Sequence, residues 1–162
     1  MTIKIFTTGG TFDKVYFDAA SEFHIGEPMV AALLEEANVS FDYEIESLLK
    51  KDSLDMNDTD RELIRNAIEN VPNDRVMLTH GTDTMVATAR TLLDIPGKTI
   101  VLFGAMQPAR MRYSDAMYNL GFASAAVQLL PNGVHLAMNG QIFDPRKVSK
   151  NRAQNRFESV DS

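Results

Sequence analysis

Apolar residues fall along this chain in short blocks separated by polar, glycine- and proline-bearing segments. Ile3–Thr8, Arg75–His80, Thr99–Phe103 and Gly133–Met138 show little polar alternation, the pattern of strands covered on both faces, as in a parallel sheet. Phe41–Ile45 alternates instead, which predicts an edge or half-covered strand. The intervening segments carry helical spacing. Pro28 suits a first helical position ahead of Met29, Val30, Leu33 and Leu34. Thr59 and Glu62 fit a capping box before Leu63, Ile64, Ala67 and Ile68, with Pro72 at the exit. A third helix carries Met85, Val86, Ala89, Leu92 and Leu93 and stops before Pro96-Gly97. A fourth runs from Ser114 to Leu130, apolar on most of its faces and therefore buried.

Strands and helices thus alternate along the chain, which selects a single α/β domain. The expected architecture has three layers: an open, mostly parallel sheet with helices on both faces, of the flavodoxin or Rossmann kind, joined by right-handed crossovers. Residues 1–150 form that domain, and Asn151–Ser162 reads as a loosely held polar tail.

Composition narrows the class. The chain has 162 residues, 44% hydrophobic and 23% charged, enough for one core and unlike disordered or fibrous chains. Sixteen basic against twenty-two acidic residues leave a net charge of −6, which argues against nucleic-acid or anionic-membrane partners. Cysteine is absent, so disulfides, thiolate metal sites and a cysteine nucleophile are excluded. The amino terminus turns polar within a few residues and no window suits a membrane span, so a cytoplasmic protein is expected. His24, His80 and His135 have no metal-ligand spacing, and the Asp-rich run from Asp52 to Asp60 lacks a calcium-loop pattern. No metal is expected.

In an open parallel sheet, ligands bind outside the carboxyl ends of the strands, and the segments there are small, hydroxylated and acidic. Thr8-Gly9-Gly10-Thr11 allows a tight turn with the Thr11 hydroxyl close to a ligand. It reads equally as a plain strain-relieving turn or as an anion cradle, although the full phosphate-loop and dinucleotide patterns are missing. His80-Gly81-Thr82-Asp83-Thr84 places a hydroxyl beside a carboxylate at a strand-to-helix junction. One such residue would cap the helix; three exceed that need. Lys150 by itself reads as a surface charge, yet a threonine hydroxyl needs a base before it is a good nucleophile, and a lysine can serve.

Thr8-Gly9-Gly10-Thr11, Asp55-Met56-Asn57-Asp58, His80-Gly81-Thr82-Asp83-Thr84-Met85, Gly104-Ala105-Met106-Gln107-Pro108 and Val148-Ser149-Lys150 occur in the order found in bacterial L-asparaginases. The chain resembles that family over about residues 3 to 159. The resemblance implies hydrolysis of L-asparagine to L-aspartate and ammonia without a cofactor. It makes Thr11 the nucleophile and Tyr16 the tyrosine beside it on a flap. Thr82, Asp83 and Lys150 become the second threonine, the aspartate and the lysine. Gly10, Ser53, Leu54, Gly81, Thr82 and Asp83 are the implied substrate contacts, with Ser53 on the α-carboxylate.

Two departures accompany the resemblance. Leu54 stands where the family commonly has glutamine, so its polar contact is missing, and the usual smaller carboxy-terminal domain is expected to be absent. A short, single-domain asparaginase or an amino-terminal half is expected, with a homo-oligomer covering the exposed edge. Two other classes stay open: a non-catalytic amino-acid-binding module, and a flavodoxin-like phosphate or flavin carrier.

Overall fold

The computed structural model describes residues 1–17 and 22–160. Five parallel strands and one antiparallel strand form a six-stranded sheet. In chain order these are β1 (Thr2–Gly9), β4 (Asp42–Lys51), β5 (Arg75–Thr79), β6 (Thr99–Phe103), β7 (Gly133–Met138) and β8 (Gln141–Phe143). Their spatial order is β4-β1-β5-β6-β7-β8, with β8 antiparallel to β7. The central strands β1, β5 and β6 are buried at nearly every position, as their unbroken apolar runs require. The alternating strand β4 lies at the edge. Two hairpins stand outside the sheet: β2 (Lys14–Phe17) with β3 (Glu22–Ile25), and β9 (Val148–Asn151) with β10 (Arg156–Ser159). The helices are α1 (Val30–Glu36), α2 (Asp58–Asn70), α3 (Met85–Arg90) and α4 (Ala116–Leu129).

Helices cover both faces. Strand register puts Arg75, Met77 and Thr79 on one face and Val76 and Leu78 on the other. The Arg75 guanidinium donates to the Val127 and Leu130 carbonyls at the end of α4 (2.7 and 2.9 Å). Gly104 continues the opposite face, in line with Leu102 and Leu78, and a Cβ there would lie 3.1 Å from the Met85 side chain of α3. Because β5, β6 and β7 are successive neighbours, crossovers on opposite faces have opposite hands. One of them departs from the right-handed rule that the alternating pattern predicts. The long segment between β6 and α4 makes room for this, and its turn is held by the Asp115 carboxylate, which accepts the Met106 and Gln107 N–H groups.

Local chemistry moves several boundaries. The capping box of α2 is Asn57 with Asp60, two residues before the expected Thr59–Glu62 pair. Asn57 Oδ1 accepts the Asp60 N–H and Asp60 Oδ2 accepts the Asn57 N–H, while Lys51 anchors the same carboxylate. Helix α1 starts at Val30 because the Met29 N–H is taken by Asp13. Helix α3 ends at Arg90, where the Thr91 hydroxyl turns back to the Thr88 carbonyl. Asn139 and Gly140, with φ of 54° and 71°, close the hairpin that carries the unexpected β8.

The segment expected as a loose polar tail is instead held through Val160. Phe157 is 2% exposed, its ring centroid lies 6.3 Å from that of Phe143, and its N–H donates to Asn139 Oδ1. One buried aromatic thus fixes an otherwise polar hairpin. Phe157→Ala is expected to lower the unfolding free energy by about 3–5 kcal/mol in chemical denaturation. A change near zero would mean that the hairpin is not held by its core contact.

Candidate active site

The loop after β1 is shaped by its glycines. Gly10 sits at φ 75°, ψ −173°, and the following residues Thr11–Asp13 make a single 3₁₀ turn. A Cβ on Gly10 would lie 2.6 Å from the backbone of Gly81, and one on Gly81 would lie 2.7 Å from Ser53 Cβ. The loops leaving β1 and β5 therefore meet backbone to backbone, and the loop leaving β4 packs the Ser53 side chain against Gly81. That stack brings the segments bearing Thr11, Ser53 and Thr82 to one edge of the sheet.

A fourth segment closes on the same edge. Lys150, on β9, donates from Nζ to Thr82 Oγ1 (2.7 Å) and to Asp83 Oδ1 (2.9 Å). Arg152 stands 3.4 Å from the same aspartate oxygen. The adjacent Thr82 hydroxyl and Asp83 carboxylate thus form one connected group with the Lys150 amine, 67 residues or more away in sequence, and Lys150 and Asp83 are largely withdrawn from solvent. Asp83 draws Lys150 onto Thr82 rather than leaving it a free surface charge.

Ser53 is 1% exposed. Its Oγ accepts the Thr84 N–H (3.2 Å), and the Thr84 hydroxyl donates to the Ser53 carbonyl (2.7 Å). Leu54 lies beside it in a short turn capped by Asp52 and is 63% exposed. Tyr16 is on the β2–β3 hairpin, opposite Phe23 and in edge contact with it at 5.4 Å. Half of Tyr16 faces solvent. The hairpin tip, residues 18–21, lies outside the described residues.

Three supporting groups stand behind the site: His80, which opens the His80–Thr84 motif, and Thr88 and Arg61, which lie in no motif. His80 is fully buried, and burial pushes its imidazole down to about 4, so it is neutral. A carbonyl can only accept, so Nδ1–H donates to the Gly81 carbonyl (2.7 Å) and Nε2 accepts the Thr88 hydroxyl (2.7 Å). Arg61 donates to Thr88 in turn (3.1 Å). The chain Arg61–Thr88–His80 pins the Gly81 peptide from behind. His80 stands in the His80–Thr84 motif, but its partners Thr88, eight residues on, and Arg61 carry no sequence signal of their own.

Among the described residues no group of three or more His, Cys, Asp or Glu is placed to hold a metal ion. No helix there is long and apolar enough to cross a membrane. A hollow of about 580 Å³ opens at the opposite, amino end of the sheet, lined by Thr2, Asn73, Asp74 and Arg75. Its Arg75 is already engaged by the Val127 and Leu130 carbonyls, so chemistry rather than room locates the site.

His80 should remain neutral, with its proton on Nδ1, to below pH 5. Long-range ¹H–¹⁵N spectra that show titration near the ordinary histidine value of about 6.5, or the proton on Nε2, would contradict the pinning of Gly81.

The sequence matches the family described as asparaginase, N-terminal, over residues 2–162. A probable periplasmic L-asparaginase from Haemophilus influenzae is 32% identical over 160 residues, covering 91% of this chain and 46% of that protein. L-asparaginase 2 of Escherichia coli is 37% identical over 95 residues, 54% of this chain and 27% of that protein. Among solved structures, the thermostable L-asparaginase from Thermococcus kodakarensis superposes with a TM-score of 0.87 at 26% identity. It covers 99% of this chain and 51% of the other. A probable cytoplasmic L-asparaginase from Campylobacter jejuni gives 0.83 at 32% identity, over 97% of this chain and 52% of the other. The chain spans about half the length of these two solved relatives and of the Haemophilus protein. The fold, the stacked loops and these matches together establish that the chain belongs to the asparaginase family and corresponds to its amino-terminal domain.

Proposed function

We propose that this chain carries the catalytic machinery of an L-asparagine amidohydrolase. The Lys150–Thr82–Asp83 group beside the Thr11 loop supports this reading most strongly. Thr11 Oγ1 attacks the side-chain amide carbon of asparagine, and its proton passes to the Thr82–Lys150 pair. The tetrahedral intermediate collapses as that proton is delivered to the amide nitrogen, so that ammonia leaves and an acyl ester remains on Thr11. Water then hydrolyses the ester and returns the hydroxyl. For the proton count to balance, Lys150 enters the step as the neutral amine: Thr82 Oγ1 takes the Thr11 proton as its own proton moves to Lys150 Nζ, and the same two shifts run back when the amide nitrogen is protonated. The Thr82 backbone N–H is offered to the developing oxyanion, a contribution of about 3 kcal/mol where such a donor is well placed.

Asp83 has two parts in this scheme: it orients the lysine and presents a carboxylate to the substrate ammonium. Ser53, whose Oγ already accepts from Thr84, has its hydroxyl proton left for the substrate carboxylate. Tyr16, half exposed on its hairpin, closes over the bound amide. The family match disfavours the flavin- or phosphate-carrier alternative. A binding module without turnover differs from this enzyme in one observable, the release of ammonia.

Thr11→Ala and Lys150→Met are expected to lower ammonia release from asparagine by orders of magnitude with the fold intact. Retention of more than about a tenth of wild-type turnover by the first removes Thr11 from the nucleophile role, and by the second removes the lysine from the relay.

A further inference from the structure

Asp13 lies two residues beyond Thr11 and has no part in the chemistry above, yet it is among the most constrained polar groups in the domain. It is 1% exposed. Its backbone carbonyl accepts the Gly26 N–H (2.8 Å) and Arg110 Nη1 (2.9 Å), and its Oδ1 accepts the Met29 N–H (2.9 Å). Gly26 follows β3 directly and Lys14 opens β2, so Asp13 ties both stems of the hairpin to the start of α1. Arg110 reinforces the same junction by donating to the Glu27 carbonyl (3.1 Å).

The second carboxyl oxygen, Oδ2, is buried and has no hydrogen-bond partner among the described residues. A residue that served only to hold this junction would be better as an amide or a fully partnered acid, since an ionised oxygen left alone in the interior is costly. We propose that Asp13 is a positioning residue that latches the Thr11 turn to the base of the β2–β3 hairpin, and that the latch loosens when its carboxyl ionises. The protonated acid still accepts the Met29 N–H through Oδ1 and carries no buried charge. The ionised acid brings a charge whose only close donor is that N–H.

The charged groups around Asp13 set the balance. Burial pushes its carboxyl up, while the Met29 N–H, Arg110 and Lys50 pull it down and Glu27 pushes it up again, with the outcome at about 6. Arg110 is already engaged by backbone carbonyls and Lys50 by Glu27 (2.6 Å), so neither cation reaches Oδ2. Because the folded value lies above the ordinary 3.8, the latch is fully closed below about pH 4 and weakens as pH rises through 6. Loosening the hairpin moves Tyr16 away from Thr11, so substrate retention weakens on the alkaline side. This consequence rests on the asparaginase reading; the latch itself does not.

The test is a pH titration of the whole chain by NMR. The Asp13 carboxyl ¹³C and the Met29 amide should titrate together near pH 6. Amide exchange in β2 and β3, corrected for intrinsic chemistry, should rise roughly tenfold between pH 5 and pH 7. Asp13→Asn should make that exchange independent of pH, and the KM for asparagine should follow the same curve in the wild type and lose it in the variant. A carboxyl titrating below about 4.5, hairpin exchange indifferent to its ionisation, or an Asn variant that keeps the wild-type pH curve would each overturn the latch. If the variant does not fold, the wild-type titration decides alone. If asparagine is not turned over but the titration holds, the functional reading fails and the latch stands.

Discussion

The candidate active edge of this domain depends on close approaches that only glycine allows. Gly10 lies against Gly81, and Gly81 against Ser53, at separations that no Cβ would tolerate. Close packing of this kind brings three crossover loops within one ligand's width of each other, which longer residues would hold apart. The polar groups on either side then need only short reach. Thr84 closes the Ser53 loop with two hydrogen bonds, and the neutral His80 pins the Gly81 peptide from within the core. Rigid support behind a small reactive group is what positioning chemistry requires, since an error of about 1 Å can cost two orders of magnitude in rate.

Electrostatics adds two opposed constraints. The contribution of His80 to stability is present above its ordinary value of 6.5 and is lost as pH falls through about 4. That of Asp13 is present below 3.8 and is lost as pH rises through about 6. Each displacement corresponds to about 3 kcal/mol, so the two offset one another over the same mildly acidic range. Acidification therefore strains the wall behind Gly81 while it tightens the base of the hairpin beside Thr11.

Much of this was legible in the chain. Unbroken apolar runs marked the buried parallel strands, the alternation after Phe41 marked the edge strand β4, and the hydroxylated segments expected at one edge do come together there. The rest depended on single contacts that pattern does not display. Asn139-Gly140 is a strong hairpin signal, yet the short strand after it has too few residues to show a period. The polar run from Asn151 hid Phe157, whose burial holds β9 and hence Lys150 in place. The opposite hand of neighbouring crossovers follows from how the loop before α4 is fastened by Asp115, a long-range matter that no local propensity records. Asp13 reads as an ordinary turn residue until its neighbours are known.

Close packing at Gly81 sets the geometry of the proposed catalytic groups. Gly81→Ala adds one methyl group directed at Ser53, at a position whose φ is not in the left-handed region, so the substitution acts through crowding alone. Steady-state ammonia release from asparagine, measured beside far-ultraviolet circular dichroism, tests it most directly. An unchanged spectrum is expected, with kcat/KM lowered by roughly 100-fold or more. An alanine variant that turns over asparagine at nearly the wild-type rate would contradict it.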